Sequence, residues 1–269
     1  MASPRVLLLG GHGKISLLMT PKIVSRSWNL TSVIRNPDQK STIVDAGKNG
    51  PGKVDVLIAS LDNVKTQADA QQILDQAKPD YVIFSAGAGG KGGADRTYAI
   101  DRDAAIAFIK SSIATPSIKK FLLVTALIER RKRASWWDDD SWNKVQETNN
   151  KVLPDYYKAK LAADDVLTLL GNERMQKDKS FSYILVRPGT LADGPETGKV
   201  ELGRTTAQGD VSRADVADVT VRLLEKEGVS GWIDMMNADK DVASEVDRVV
   251  REKVNTVEGE DLEAMKASL

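Results

Sequence analysis

Residues 5–16 read Arg5-Val6-Leu7-Leu8-Leu9-Gly10-Gly11-His12-Gly13-Lys14-Ile15-Ser16, an apolar run that passes straight into a glycine-rich turn. Four consecutive apolar residues closed off by glycine predict a short strand buried on both faces. Positions without side chains at Gly10, Gly11 and Gly13 let the backbone turn sharply off Leu9 and come close to a pyrophosphate. That charge would rest on free amides at the start of a helix, near Lys14 and Ile15. Ser16 takes the third small position of the usual G-x-G-x-x-G spacing. The stretch therefore predicts a dinucleotide site, with a plain turn as the alternative that the rest of the chain must decide.

Similar apolar runs recur at 30–34, 54–61, 81–84, 121–124, 183–186 and 232–236. Most are rich in leucine or β-branched residues and nearly continuous rather than alternating, which is the pattern of strands covered on both faces. Helical patterns separate them, notably at 66–77, 102–111, 157–170 and 213–226. The order βαβα with right-handed crossovers predicts an α/β, doubly wound, Rossmann-like fold with a mainly parallel sheet and helices on both faces. With 269 residues and 41% hydrophobic content, one domain spanning 1–269 can bury a full core.

Lysine plus arginine (38) balances aspartate plus glutamate (38), so no overall field favours nucleic acid or an anionic membrane, and small molecules are the expected partners. The chain has no cysteine and one histidine, His12 inside the glycine turn, which removes thiolate nucleophiles, disulfides and clustered metal sites. A Ser-His-Asp hydrolase would have to recruit that same histidine. With the first strand under way by residue 5 and no run of 18 apolar residues, the expectation is a cytoplasmic protein, monomeric or homodimeric.

Chemistry-bearing residues fall at the predicted strand ends. Arg35-Asn36-Pro37-Asp38 follows the second strand, where an NAD site would place an acid on the ribose 2′-hydroxyl; an arginine there suits a 2′-phosphate, so NADP(H) is the expected cofactor. The fourth strand runs into Ser85-Ala86-Gly87-Ala88-Gly89-Gly90-Lys91-Gly92-Gly93, read as backbone that approaches the cofactor, against a glycine-rich surface loop. Tyr156 and Lys160 stand four apart at a helix start, hence on one face, which Ala163 and Leu167 continue inward. The ammonium is expected to draw the phenol below its usual pKa of about 10 and make it a usable acid. Thr125, after the fifth strand, adds a hydroxyl to complete a candidate catalytic triad.

Gly10-Gly11-His12-Gly13-Lys14-Ile15, Arg35-Asn36-Pro37, Ser85-Ala86-Gly87, Tyr156 with Lys160, Arg187-Pro188-Gly189 and Ser212-Arg213-Ala214-Asp215-Val216-Ala217 occur together over residues 6 to about 220. In this order they resemble the atypical short-chain dehydrogenase/reductases of the NAD(P)H-binding group that includes biliverdin reductase B-like and NmrA-like proteins. Fungal and yeast members of unassigned activity share the Ala-Gly-Ala-Gly-Gly-Lys-Gly-Gly stretch. The resemblance implies that Gly10, Gly13 and Lys14 hold the pyrophosphate, Arg35 the 2′-phosphate, and backbone at Ser60 and Leu61 the adenine. It also places Pro188, Gly189, Thr190 and Leu191 near the nicotinamide. The chain departs from the family at Ser60, where an aspartate is common and Asp62 follows two residues later, and at Thr125, where many relatives have serine.

Three of the five tryptophans, Trp136, Trp137 and Trp142, lie in the long connection at 127–156, as stacking surfaces for a flat aromatic substrate or as a lid, against a loop that packs on itself. Residues 190–210 and 232–269 are the other substrate-side segments, the last with a helix at 242–253 and an acidic tail that caps the sheet edge. Glu129-Arg130-Arg131-Lys132-Arg133 reads as a solvated, charge-compensated surface. The leading expectation is an NADPH-dependent reductase of a small carbonyl or conjugated, possibly aromatic, substrate. The alternatives are a redox-neutral isomerase, cyclase or dehydratase of secondary metabolism and a non-catalytic NmrA-like NADP(H) sensor.

Overall fold

The computed structural model describes residues 3–90 and 92–267, so Lys91 of the glycine-rich stretch lies outside the described residues. The chain alternates strand and helix through β1 (Arg5–Leu9), α1 (Lys14–Val24), β2 (Asn29–Ile34), α2 (Lys40–Gly47), β3 (Val54–Ile58), α3 (Gln67–Ala77) and β4 (Tyr81–Phe84). It continues through α4 (Gly93–Thr97), α5 (Ala105–Ala114), β5 (Lys120–Val124), α6 (Asp139–Glu147), α7 (Pro154–Lys177) and β6 (Ser182–Pro188). Short strands β7 (Thr190–Ala192), β8 (Lys199–Leu202) and β9 (Asp210–Ser212) precede α8 (Arg213–Glu225), β10 (Gly231–Asp241), α9 (Val242–Arg251) and α10 (Leu262–Ala267).

Eight strands form one sheet in the order β3-β2-β1-β4-β5-β6-β10-β8, with β7 and β9 paired apart from it. All neighbours run parallel except β10 and β8. This is the Rossmann-like doubly wound sheet, and the 3-2-1-4 order places its switch point between β1 and β4. The β1 sequence shows why the strands are continuously apolar. Val6 and Leu8 point into a core shared with residues of α1, α8 and α9, whereas Leu7 and Leu9 point into the opposite core with residues of α3, α5 and α7. Both sides of each pleat are buried, so alternation disappears. Among the described residues no helix is long and apolar enough to cross a membrane.

Local chemistry sets the helix starts. Thr66 and Asp69 form a reciprocal capping box at α3, Asp138 accepts the Ser141 amide at α6, and Ser212 accepts the Asp215 amide at α8. Pro154 occupies the first turn of α7, where its missing N–H costs nothing.

Several boundaries differ from those read off the sequence. The third strand stops at Ile58, and Leu61–Asn63 forms a single 3-10 turn. The pattern at 102–111 is the tail of a longer helical element in which a π-helical stretch, Tyr98–Ala104, joins α4 to α5. The connection at 127–156 contains α6 and a second π-helical turn, Thr148–Val152. At the C-terminus α9 packs against α8 and the edge strand β8. The acidic tail instead turns back over the chain after β5: Arg130 donates to the Thr256 and Glu258 carbonyls at 2.6 and 2.7 Å, and Glu260 accepts the Arg131 amide.

That tail corrects the expectation of a solvated basic run. Glu129 and Arg130 are fully buried, and Arg131 forms an ion pair with buried Asp165; Lys132 and Arg133 stay at the surface. The run is internal because β6 supplies a deeper cation beneath it. Arg187 is also fully buried and donates to Asp164 on α7 at 2.6 Å and to Asp234 on β10 at 2.9 Å. It further donates to the Leu127 and Glu129 carbonyls, and its guanidinium lies 3.8 Å from the Trp232 ring centroid. One side chain thus ties β6, β10, α7 and the chain after β5. Breaking a buried pair from one side leaves uncompensated charge, so Arg187→Met is expected to cost about 3–5 kcal/mol in urea unfolding, against near-zero loss for Arg204→Met at the exposed Glu258 pair.

Candidate active site

A cleft of about 670 Å³ opens along the carboxyl ends of the parallel strands, at the switch point. Gly10, Gly11, His12, Gly13, Lys14 and Ile15 form its floor, with Arg35, Leu61, Ser85, Ala86, Gly87 and Leu191 around it. The structure thus brings together most of the residues assigned to cofactor binding. Gly13 is the N-cap of α1 and offers no side-chain cap, and no acidic residue stands in the first turn. The first amides of the helix therefore face the cleft without a protein anion at the cap, which is what a phosphate group requires.

The glycines have separable reasons. Gly10 adopts φ +83°, and an added Cβ would lie 2.7 Å from the Ala86 backbone, so this position is demanded by packing of the β1 turn on the β4 loop. Gly89, Gly90, Gly92 and Gly93 all have φ between +64° and +87°, and nothing lies within 4 Å of an added Cβ at Gly89, Gly90 or Gly93. Positive φ accounts for glycine at 89, 90 and 93, whereas an added Cβ at Gly92 would lie 2.7 Å from the Arg96 side chain and one at Gly87 3.0 Å from Asp101.

At the β2 end of the cleft, Arg35 reaches Asp62 at 3.5 Å and Arg96, just beyond the glycine-rich segment, reaches the same carboxylate at 2.9 Å. Ser60 does not line the cleft; its hydroxyl donates to Asp62 at 3.0 Å. The carboxylate absent at Ser60 thus enters the same pocket two residues later, because the 3-10 turn at Leu61–Asn63 carries Asp62 inward. Nothing in its local spacing marks Arg96, which only the fold brings to Asp62. On the other side, Pro188, Gly189 and Thr190 are occupied with the turn into β7, where the Gly189 and Thr190 amides donate to the Met235 and Gly209 carbonyls. Only Leu191 of that group lines the cleft.

Tyr156 and Lys160 share one face of α7, with the ammonium 5.7 Å from the phenol ring centroid. Lys160 is buried, pairs with Asp101 at 3.1 Å and donates to the Val124 carbonyl at 3.4 Å. Asp101 also accepts the Ala88 amide at 2.9 Å, so it connects the lysine to the β4 loop that walls the cleft. The π-helical stretch carries Asp101 into this position, and insertions of that kind have no clear sequence signature. Burial opposes the Lys160 charge, but Asp101 and neighbouring acids outweigh it and hold the ammonium protonated above the usual lysine range.

The expected lowering of the Tyr156 pKa is overturned. The residue is half-buried, and burial pushes the phenol well above its ordinary range. Lys160 pulls it down, but Glu129, Asp101 and Asp164 push it up, and the Lys160 charge is already balanced by Asp101. The Thr125 hydroxyl is buried without a hydrogen-bond partner at the end of β5. It lies near enough to Asp164 to favour that carboxylate's ionised form.

Beneath these groups lies a carboxyl that the sequence reading assigned to the surface. Both oxygens of Glu129 are buried without partners. Burial first, and then repulsion from Asp164, push its pKa up to about 8, with Arg187 and Lys160 opposing. Burial also raises Asp164, to about 7, against Arg187, Thr125 and Lys160. Asp164 holds the Arg187 guanidinium at 2.6 Å whereas Glu129 holds nothing, so at neutral pH the proton resides on Glu129.

The three indoles form a small core of their own with Leu127, Val145, Ala207 and Met236. Trp137 is buried and donates to the Thr205 carbonyl at 2.9 Å, with Trp136 and Trp142 at 6.5 and 6.4 Å between ring centroids. Trp137 therefore supports the loop itself, and Trp136 and Trp142 keep partial exposure.

The sequence profile of the NAD(P)H-binding family matches residues 10–227, from the glycine turn to the end of α8. The chain belongs to this family. A Bacillus subtilis protein named as an uncharacterised sugar epimerase is 28% identical over 242 residues, covering 89% of this chain and 97% of its own length. A Schizosaccharomyces pombe protein of the UPF0659 group is 28% identical over 237 residues, covering 87% of this chain and 90% of its own. Among solved structures, a Bacillus halodurans protein assigned by name to NAD-dependent epimerase/dehydratases superposes with a TM-score of 0.71 at 26% identity, covering 91% of this chain and all of that one (100%). In this NAD(P)H-binding protein the matched segment contains the cleft, Tyr156 and Lys160 but not α9 or the tail.

The Glu129 proton has a measurable consequence. The folded chain retains it to about pH 8 while the unfolded chain releases it near 4.5. Its effect on stability is therefore absent below that lower value and grows unfavourable as pH rises towards 8, by up to about 1.4 kcal/mol per pH unit. Glu129→Gln is expected to flatten this decline in urea unfolding measured from pH 5 to 8.5; a parallel decline in the variant would reject a buried protonated Glu129.

Proposed function

We propose that the protein is an NADPH-dependent reductase of a small carbonyl or conjugated substrate. The observation that carries this reading is the pairing of Tyr156 with a Lys160 locked by Asp101 and the Val124 carbonyl, with the buried Thr125 hydroxyl at the end of β5. When bound, the dinucleotide supplies the hydride. Thr125 orients the acceptor oxygen, and Tyr156 donates its proton to the alkoxide as it forms. The phenolate then recovers a proton from solvent, so one hydride and one proton are added in all. Burial keeps the phenol protonated at neutral pH, the form a proton donor requires. Lys160, which does not line the cleft, stabilises the transient phenolate by its charge from behind. The partly exposed faces of Trp136 and Trp142 form the substrate-side wall.

The choice of NADP(H) is supported by Arg35 and Arg96 around a single carboxylate, Asp62, which leaves one positive charge in excess at the adenosine end. Arg35→Gln is expected to weaken NADPH binding about 10- to 100-fold while changing NADH binding little. Equal losses for both dinucleotides in a fluorescence titration would place the 2′-phosphate elsewhere.

The names of the Bacillus relatives favour a second reading, redox-neutral chemistry in which the dinucleotide is regenerated at each turnover. Carbonyl and nucleotide-sugar panels separate the two: net NADPH oxidation lost in Tyr156→Phe with dinucleotide affinity intact supports the reductase. Product formed without net oxidation supports the epimerase class instead.

A further inference from the structure

The end of the cleft away from Arg35 is flanked by two cations from adjacent helices. Lys14 is the first residue of α1 and Arg213 the first residue of α8, and both line the cleft. The two helices pack side by side on the same face of the sheet, so their first turns open onto one place. Both cations hold one carboxylate: Asp193 accepts from Lys14 at 2.7 Å through one oxygen and from Arg213 at 2.7 Å through the other.

The three partners are not equally fixed. The Arg213 side chain is 23% exposed and therefore positioned largely by packing, whereas those of Lys14 and Asp193 are 67% and 65% exposed. Asp193 leads a strap, residues 193–198, whose far half is anchored elsewhere. Asp215 accepts the Thr197 and Gly198 amides at 3.0 and 2.9 Å, and Glu196 pairs with Lys22 at 2.7 Å. Ahead of Asp193, β7 is held by its pairing with β9, while Gly194 on the other side has nothing within 4 Å of an added Cβ. Exposed pairs of this kind hold weakly, and a phosphate offers an arginine stronger, two-point contacts.

We infer that Lys14 and Arg213 form a two-cation clamp for the bridging diphosphate of the dinucleotide, and that Asp193 is a resident counter-anion which the diphosphate displaces. The assignment deepens the dinucleotide reading of the cleft and rests on it. A carboxylate neutralises only one of the two cations, whereas a diphosphate brings two negative charges and matches both. Asp193 therefore competes with the cofactor and sets its affinity. Its release frees the Asp193 side chain while β7 and Asp215 keep the two ends of the strap in place.

Isothermal titration of the full chain with NADP+, NADPH, NAD+ and NADH, at two salt concentrations, tests this. Arg213→Gln is expected to weaken every dinucleotide about tenfold or more and to reduce the salt dependence, with Arg213→Lys recovering part of the loss. Asp193→Asn, at an exposed position, is expected to tighten dinucleotides several-fold. Adenosine 2′-monophosphate, which lacks the bridging diphosphate, should bind all variants alike. Wild-type dinucleotide affinity in both Arg213→Gln and Asp193→Asn would overturn the clamp and leave the cofactor site standing, as would weakening in Asp193→Asn. A wild-type chain that binds no dinucleotide would overturn the clamp and the cofactor reading together.

Discussion

Arg187 binds two buried aspartates, two main-chain carbonyls and the face of an indole, and the arrangement of the candidate site follows from it. A guanidinium removed from water must have its charge and its donors matched, because the penalty for leaving either unmatched is several times the value of an ordinary contact. Asp164 fixes the rotation of α7, which sets where Tyr156 and Lys160 emerge. The Leu127 and Glu129 carbonyls fix the chain after β5, which sets Thr125. Asp234 joins β10 to the same point and, through the Thr256 hydroxyl at 2.8 Å, brings the tail back across the molecule. Tyr156, Lys160 and Thr125 are thus backed by one buried cation, in addition to the contacts of Lys160 with Asp101 and the Val124 carbonyl.

The same network explains an unusual concentration of acid around the phenol. Asp101, Asp164 and Glu129 surround Tyr156 and Lys160, while Lys160 and Arg187 are the cations that act on these carboxyls. Asp234 draws on Arg187 and on Arg130 as well, so four carboxyls face three cations and one must stay protonated. Glu129 is that one because it has no donor of its own. A raised phenol, a fixed ammonium and a neutral buried acid thus all carry their protons at neutral pH.

The cofactor side follows another principle. Its floor is backbone, with the first amides of α1 uncapped, and its charged rim is made of side chains that already hold one another: Arg35 and Arg96 with Asp62 at one end, Lys14 and Arg213 with Asp193 at the other. Ion pairs at the rim keep cations in place at modest free-energy cost and yield to a phosphate that matches them better. The family match across residues 10–227 covers both ends of this rim.

What the sequence by itself determined is local. The glycine turn after β1, the continuous apolar strands, the arginine after β2 and the Tyr156–Lys160 spacing depend on residues within a few positions of one another, and backbone sterics and helical periodicity make them readable. What only the tertiary structure decided is which charges are inside. Glu129 and Arg130 look like surface residues in a charged run, and become buried because Arg187, Glu260 and the carbonyls at 256 and 258 arrive from far along the chain. Asp101 reaches Lys160 through a π-helical insertion, and Asp62 enters the cleft through a 3-10 turn. The Tyr156 shift reverses sign for the same reason: spacing shows the ammonium four residues away but not the carboxylate that neutralises it or the burial that raises the phenol. Electrostatics in a folded chain depends on desolvation and on distant partners, and neither is written in local order.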